Sequence, residues 1–410
     1  MFKKKITAIL CSIFIILLQP SACFAFDATF VWSSIGEQAV ATSAQVANTA
    51  ESNNSLSLES AAAVLIEQNS GTVLYNHNMH EKLRPASVTK VMTILLIMDA
   101  IDSGRINYTD KVPCSENASK MGGSQIWLDT TEELTVDEML KAICIVSAND
   151  CTVAMAEYLA GSEESFVKQM NKKAKELGMK DTTFKNSHGI DEDGHVTSAY
   201  DIALMSRELM AKHPDITKYT TIWMDTLRDG KSELVSTNKL IRNYSGATGL
   251  KTGSTSLALY NLSATATRGN LSLIAVIMKA PTTAIRFSEA KKLLDYGFNT
   301  YQYKEFGKKG DLVETVSVAK GIQNSVDLIL EDNAGCLIAK GQEKNVNQNI
   351  SIEQNLSAPI STGQKLGEIS FTLNNKEIAK INVIAKNDVK KISGWNMVSF
   401  VLSSWFNLCR

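Results

Sequence analysis

The chain has 410 residues, of which 44% are hydrophobic and 21% are charged, and its formal net charge is −1. A chain of this length and apolar content can bury a large core and can divide into two domains. Its near-neutral charge provides no broad basic surface, so we expect no nucleic-acid partner.

The amino terminus has the pattern of an export signal. Three lysines precede an apolar run at residues 6–18, which is too short to span a bilayer, and Ala25 offers a small residue for cleavage. We therefore predict a secretory signal peptide over residues 1–25 and an exported protein. Lipidation of Cys23 is an alternative, although Pro20 occupies a position where such signals usually carry an aliphatic residue.

Export often brings disulfide bonds, but the cysteines here do not form a regular framework. After cleavage five would remain, and they are scattered without a Cys-x-x-Cys pair: Cys114, Cys144, Cys151, Cys336 and Cys409. We predict free, buried thiols.

A spacer follows the signal peptide, and the patterns of a folded domain begin after it. Residues 26–56 are rich in Ala, Ser, Asn and Thr without a steady period, which predicts a flexible spacer. Two apolar runs at 61–67 and 73–75 flank a turn with Gly71 and predict a β-hairpin. The apolar run that begins just after Ser87 predicts a buried helix starting at about that residue, because Pro85 disfavours helical backbone before it.

Helical patterns dominate the middle of the chain, and strand-like patterns return later. The predicted helices are 135–145, 150–160, 162–177, 198–211 and 284–296, and the returning strands are 249–266, with an interruption, and 271–278. This order predicts an α/β (α+β) domain over residues 57–300, with a sheet flanked by helices. Short alternating segments with Gly and Asn turns then predict a small all-β domain over 301–388.

The last residues predict a membrane-surface helix. In the stretch 389–410, polar residues recur at helical spacing opposite a wide apolar face that contains Trp395 and Trp405. A helix from Trp395 to the end would be about 24 Å long, shorter than the bilayer core of about 30 Å. We therefore expect residues 390–410 to lie on the outer face of the cytoplasmic membrane. Docking of this helix on the protein itself is the alternative.

Ser87 and Lys90 form a candidate nucleophile and base. They are three residues apart at the start of the predicted helix, so their side chains share one face. A serine hydroxyl becomes a good nucleophile when a neighbouring base takes its proton, and a neutral amine can do so. Because an ordinary lysine has a pKa of about 10.4, neutrality requires roughly 3 to 5 kcal/mol of burial and like-charge repulsion. The chain should supply a second cation nearby.

Two later motifs could complete such a site. Ser147-Ala148-Asn149 begins 60 residues after Ser87, and Lys251-Thr252-Gly253 begins 164 residues after it. We predict that Ser147 passes a proton to a leaving amine, and that the Asn149 amide holds a substrate carbonyl.

The motif Lys251-Thr252-Gly253 offers groups that could bind an anionic substrate. Lys251 would be the second cation, and the Thr252 hydroxyl could bind a carboxylate. Gly253 would let a substrate backbone approach the strand edge. The backbone N–H groups of Ser87 and Ser254 are candidate oxyanion donors.

The sequence gives less support for a catalytic or metal-binding role of the histidines. We expect His188 to be structural, because Lys90 already provides a base. His77 and His80 lack a third ligand and a His-Glu-x-x-His pattern, so we predict no metal site and no cofactor.

The ordered motifs together resemble the low-molecular-weight penicillin-binding proteins that are serine-type D-alanyl-D-alanine carboxypeptidases. The resemblance covers nearly everything after the spacer, and its motifs are Pro85-Ala86-Ser87-Val88-Thr89-Lys90, Gly122-Gly123-Ser124, Ser147-Ala148-Asn149-Asp150, Asn186-Ser187-His188-Gly189, Thr197-Ser198-Ala199-Tyr200-Asp201 and Gly249-Leu250-Lys251-Thr252-Gly253.

This resemblance implies a catalytic domain of the serine β-lactamase/transpeptidase-like fold. It also implies removal of the terminal D-alanine from peptidoglycan pentapeptide stems through an acyl-enzyme on Ser87, in cell-wall maturation, and acylation by β-lactam antibiotics. The sequence departs from the commonest family pattern at Ser254, where many members carry His, and at Ser187, where many carry Pro. We expect the first change to alter rate or preference without abolishing activity.

Two other functions are compatible with parts of the pattern. A β-lactamase shares the three motifs but normally has a Glu-x-x-Leu-Asn segment, which does not occur between Asn149 and Lys251. A non-catalytic receptor for muropeptides or β-lactams would be expected to have a spoiled nucleophile, whereas Ser87 and Lys90 are both present.

Overall fold

The computed structural model describes residues 56–394. The predicted signal peptide 1–25, nearly all of the predicted spacer 26–56, and residues 395–410 of the predicted terminal helix lie outside the described residues. Among residues 56–394, no helix combines the length and apolar character that crossing a bilayer requires.

The strands fall into a central sheet, a carboxy-terminal group and small hairpins. They are β1 (Ala62–Glu67), β2 (Val73–His77), β3 (Lys111–Pro113), β4 (Glu133–Thr135), β5 (Met224–Leu227), β6 (Ser232–Val235), β7 (Ala247–Thr255), β8 (Leu259–Arg268), β9 (Leu271–Ala280), β10 (Tyr301–Gly307), β11 (Leu312–Ser317), β12 (Ser325–Leu330), β13 (Ala334–Ala339), β14 (Val346–Ile352), β15 (Lys365–Leu373) and β16 (Lys376–Ala385).

Most helices lie between β2 and β7 in the chain. They are α1 (Lys90–Asp102), α2 (Glu116–Ser119), α3 (Val136–Ile145), α4 (Asn149–Ala160), α5 (Glu163–Glu176), α6 (Ala199–Lys212), α7 (Thr217–Thr220), α8 (Leu240–Asn243) and α9 (Thr283–Thr300), with short 3₁₀ turns at Ala86–Thr89, Pro214–Ile216 and Glu343–Asn345. The five predicted helices of the middle region correspond to α3, α4, α5, α6 and α9.

Side-chain caps explain several helix starts. Thr135 and Glu138 form a reciprocal capping box at the start of α3. The hydroxyls of Ser162, Ser198 and Thr282 accept backbone N–H groups at the starts of α5, α6 and α9. Such caps satisfy donors that have no partner inside the helix, so they define where each helix begins.

The central sheet pairs early strands of the chain with strands from residues 247–280. Its strand order is β2-β1-β9-β8-β7, and all neighbouring strands are antiparallel. The first hairpin therefore pairs with the returning strands through β1 and β9, and β7 forms an edge.

Strand β9 shows how this sheet is covered on both faces. Ile274 and Val276 pack in the core beneath the helical block, whereas Leu273 and Ala275 pack in a second core with Leu293 of α9. Successive residues of a strand point to opposite faces, so this alternation means that helices flank the sheet on both sides. The predicted fold class is confirmed.

The carboxy-terminal part is all-β, also as predicted. Strands β11, β12, β16, β15 and β14 form a five-stranded sheet in that order, while β10 pairs with β13. A separate core that includes Leu328, Phe371 and Val383 holds this part together. The domain limits 57–300 and 301–388 stay predictions.

The four cysteines within the described residues are free and buried, as predicted: Cys114, Cys144, Cys151 and Cys336. Cys409 lies outside the described residues.

Candidate functional site

Ser87 lies on the 3₁₀ turn Ala86–Thr89, which we call the serine turn, and Lys90 is the first residue of α1. The predicted α-helix thus begins three residues later than expected. Ala86 has a left-handed backbone with φ of 48°, which a regular right-handed helix does not accommodate. The spacing still brings the two side chains together, since Lys90 Nζ lies 3.2 Å from Ser87 Oγ and donates to it.

The ammonium of Lys90 has two further partners from distant parts of the chain. Nζ donates to Asn149 Oδ1 at 2.6 Å and to the backbone carbonyl of His188 at 2.8 Å. Lys90 is fully buried. Its amine is therefore held between the serine turn, α4 and the segment before α6.

Burial is the main reason that the pKa of Lys90 lies well below its ordinary value. The positive charge of Lys251 lowers this pKa further, and the negative charge of Asp150 acts in the opposite direction. The second cation that the sequence analysis requires is thus close enough to Lys90 to affect its protonation.

Lys251 is itself buried on β7, and its Nζ donates to the Thr252 carbonyl at 2.9 Å. Burial lowers the pKa of Lys251 to about 7, while Cys144 acts to raise it and the charge of Arg286 acts to lower it. Two lysines with depressed pKa values in one site are unusual for structural residues and typical of functional ones.

Ser147 stands out because its buried hydroxyl has no hydrogen-bond partner among the described residues. Its backbone is also left-handed, with φ of 67°. A buried hydroxyl without a partner costs about 1–3 kcal/mol, and strained backbone of this kind concentrates at functional sites. Both features set Ser147 apart from an ordinary core serine.

Asn149 connects the lysine to a nearby loop. Its Nδ2 donates to the Gly122 carbonyl at 2.6 Å, and its backbone N–H donates to the Ser124 carbonyl at 2.7 Å. One N–H of the amide remains for another acceptor, because an amide nitrogen has two. Asn149 can therefore support Lys90 and still bind a substrate carbonyl.

Asp150 holds this loop, a role that its motif does not predict. Its Oδ2 accepts the backbone N–H groups of Ile126 and Leu128 at 3.0 and 3.1 Å. Trp127 between them is 77% exposed and has a left-handed backbone. The only sequence signal was the position of Asp150 directly after Asn149.

Gly253 has a second reason to be glycine, besides the approach of a substrate. A Cβ at this position would lie 2.9 Å from the backbone nitrogens of Ser87 and Val88 and 3.0 Å from the Pro85 carbonyl. Strand β7 therefore packs directly on the serine turn. Only a residue without a side chain permits this contact.

The neighbours of Gly253 differ in exposure. The Thr252 hydroxyl is hydrogen-bonded to that of Thr237 at 2.7 Å, and Ser254 is exposed. Arg286 of α9 reaches the same strand and donates to the Gly253 carbonyl at 3.2 Å. Arg286 was missed because no motif surrounds it.

His188 contributes to the site through its backbone carbonyl. The His188 ring is buried, which lowers its pKa to about 3, with the Lys90 charge adding to the effect. The His188 carbonyl accepts the hydrogen bond from Lys90 Nζ. His80 is exposed and pairs with Asp181 at 2.9 Å.

The chain has relatives among known proteins. Residues 47–282 match the D-alanyl-D-alanine carboxypeptidase family, and residues 301–391 match the carboxy-terminal domain of penicillin-binding protein 5. The D-alanyl-D-alanine carboxypeptidase DacF of Bacillus subtilis is 47% identical over 354 residues, which are 85% of this chain and 91% of that protein.

The chain belongs to the D-alanyl-D-alanine carboxypeptidase family. The resemblance drawn from the motifs is thereby confirmed.

Solved structures of related proteins agree with the family membership. Penicillin-binding protein 5 from Haemophilus influenzae is 33% identical, with a TM-score of 0.72, and the match covers 82% of this chain and 99% of that one. Penicillin-binding protein D2 from Listeria monocytogenes, in an ampicillin-bound form, is 32% identical with a TM-score of 0.55, covering 59% of this chain and 99% of that one. The family relationship thus extends from the sequence to the fold.

Proposed function

We propose that this protein removes the terminal D-alanine from peptidoglycan pentapeptide stems as a serine-type carboxypeptidase, and that β-lactams acylate it. Ser87 would be the nucleophile and Lys90 the general base. The observation that carries the proposal is the environment of Lys90, which is fully buried, has a depressed pKa and lies within reach of the Ser87 hydroxyl.

The partners of Lys90 also orient its lone pair. A neutral amine has two N–H donors and one lone pair. The Asn149 Oδ1 and His188 carbonyl oxygens can only accept, so they take the two N–H groups. In this neutral state the lone pair points to the remaining neighbour, Ser87 Oγ, and the hydrogen bond reverses, so that the Ser87 O–H donates to Lys90 Nζ.

This arrangement supports the following reaction. As Ser87 Oγ bonds to the carbonyl carbon of the penultimate D-alanine, Lys90 takes the hydroxyl proton. The peptide C–N bond breaks, and the proton passes through Ser147 to the departing amine, leaving an ester on Ser87. Water then attacks the ester, releases the shortened stem and restores the serine proton. The N–H groups of Ser87 and Ser254 would hold the oxyanion.

The cationic side of the site suits the free carboxylate of the substrate. Lys251 precedes Thr252 on β7, and Arg286 of α9 donates to the Gly253 carbonyl of the same strand, so a terminal D-alanine carboxylate would find positive charge and a hydroxyl there. The same groups would attract the carboxylate of a penicillin. Asn149 would hold a substrate carbonyl with its remaining N–H.

We also propose that the protein is exported and acts at the outer face of the cytoplasmic membrane, in cell-wall maturation. The amino-terminal pattern over residues 1–25 supports export. The amphipathic pattern of residues 390–410 supports attachment at the membrane surface.

The test is release of D-alanine from diacetyl-Lys-D-Ala-D-Ala by the full-length chain and by its Ser87→Ala variant, with penicillin G turnover followed in parallel. We expect release by the unaltered protein, none by the variant, and penicillin retained as a slowly hydrolysed adduct. Rapid penicillin turnover without release would replace the proposal with a β-lactamase. Stable penicillin binding with neither activity would replace it with a receptor.

A further inference from the structure

The segment of Ser187, His188 and Gly189 is docked on the face of α1 that bears Lys90. Thr93 Oγ1 donates to the Ser187 carbonyl at 2.6 Å, and Lys90 Nζ donates to the next carbonyl, that of His188, at 2.8 Å. Lys90 and Thr93 are one helical turn apart. Two consecutive carbonyls are thus aligned with two donors on one helix face, and the position of the segment sets the position of the His188 carbonyl.

Glu163, the first residue of α5, holds the same segment from the other side. The Ser187 backbone N–H and hydroxyl both donate to Glu163 Oε1, at 2.9 and 2.6 Å. His188 Nε2 lies 3.5 Å from that oxygen. Because His188 Nδ1 accepts the Ile190 N–H, the proton of the neutral ring is on Nε2. Two donors of Ser187 therefore converge on one carboxylate oxygen, and the His188 ring lies next to it.

The segment also contacts the serine turn. Gly189 has φ of 95°, and a Cβ there would lie 1.9 Å from the Ala86 carbonyl oxygen. Such close backbone packing transmits a displacement of the segment to the turn that carries Ser87.

We propose that Glu163 and Ser187 form a positioning pair that fixes the His188 carbonyl and thereby directs the lone pair of Lys90 at Ser87. This inference rests on the proposed role of Lys90 as general base. It gives a function to the sequence departure at Ser187, because a proline at that position would have neither the N–H nor the hydroxyl. Neither residue touches the substrate in this role, and both act through the lysine.

The test compares Glu163→Ala and Glu163→Gln with Glu164→Ala in the full-length protein. Glu164 is a matched control because it also lies in the first turn of α5, is exposed, and pairs with Lys168 at 2.8 Å outside the site. A fluorescent penicillin reports two quantities for each protein: the end-point counts competent sites, and the time course gives the acylation rate per site.

We expect Glu163→Ala to slow acylation about tenfold at full end-point labelling, since misplacing a reacting group by about 1 Å can slow its reaction by up to about a hundredfold. Glu163→Gln should stay within about threefold of the unaltered protein, because its amide oxygen still accepts from Ser187. Glu164→Ala should match the unaltered protein. A merely structural role of Glu163 would instead lower the end-point and leave the rate per site unchanged, and that result would overturn the proposal.

Equal rates for Glu163→Ala and Glu164→Ala would also overturn it, as would an equal loss in Glu163→Gln and Glu163→Ala. If Glu163→Ala does not fold, Ser187→Ala serves instead. This variant loses the hydroxyl but keeps the backbone N–H that donates to Glu163, so acylation should slow about threefold. An unchanged rate would refute the pairing. D-alanine release by the unaltered protein is measured alongside. Its absence would contradict the proposed function, whereas intact release with equal variant rates would contradict only the positioning.

Discussion

Replacing Gly253 with alanine tests the contact between β7 and the serine turn. The added Cβ would lie 2.9 Å from the nitrogens of Ser87 and Val88, whereas ordinary contacts of a Cβ begin at 3.4 Å. All three of the nearest atoms belong to the backbone, so none can swing away as a flexible side chain would. The strand and the turn must therefore separate.

The magnitude follows from two effects of that separation. Forcing an extra methyl group into close packing costs about 1–3 kcal/mol of unfolding free energy. Displacing a nucleophile by a fraction of an ångström slows its reaction, and we expect an acylation rate lower by about tenfold to a hundredfold. Denaturant unfolding measures the first effect, and the time course of labelling by a fluorescent penicillin measures the second.

Gly394→Ala is the control, because a Cβ at that glycine would meet no atom of residues 56–394 within 4 Å. The stability measurement separates the two reasons for a glycine at 253. If Gly253 served only the approach of a substrate, the alanine variant would be as stable as the unaltered protein without any ligand. A variant with unaltered stability and unaltered acylation would refute the contact altogether.

Three further predictions concern charge and protonation. In Lys251→Gln, the pKa of Lys90 should rise because a neighbouring positive charge is lost. The acylation rate falls at low pH as Lys90 becomes protonated, so this acid limb of the pH–rate profile should move to higher pH. In Asp150→Asn, the lost negative charge should lower that pKa and move the limb to lower pH. The amide oxygen can still accept the loop N–H groups but is no longer a charged acceptor, so the unfolding free energy should fall by about 1 kcal/mol. His188 and His195 have pKa values lowered to about 3 and about 4, so the unfolded chain binds more protons below pH 6.5 and stability should fall as the pH is lowered from 6.5 toward 4.

Each of these has a contrary outcome. Shifts of the acid limb in the same direction for Lys251→Gln and Asp150→Asn would show that the limb does not report Lys90. A constant unfolding midpoint in denaturant between pH 6.5 and pH 4 would show that burial of the two imidazoles is not coupled to folding.

The sequence alone determined the features that depend on near neighbours and on pattern. The three-residue spacing of Ser87 and Lys90 places both side chains on one face when this segment forms a helical turn. Apolar periodicity located the long helices, and the order of three motifs was enough to identify the family. Alternating short segments likewise predicted the all-β part after Tyr301.

Only the tertiary structure decided which groups surround Lys90. Its partners Asn149 and His188 are 59 and 98 residues away in the chain, and no local pattern marks a backbone carbonyl as a lysine ligand. The sequence likewise could not reveal the hydrogen bond of Arg286 to β7 or those of Ser187 to Glu163. Hydrogen bonds and close packing depend on atoms brought within a few ångströms by folding, and such contacts leave little trace in the residues adjacent to them.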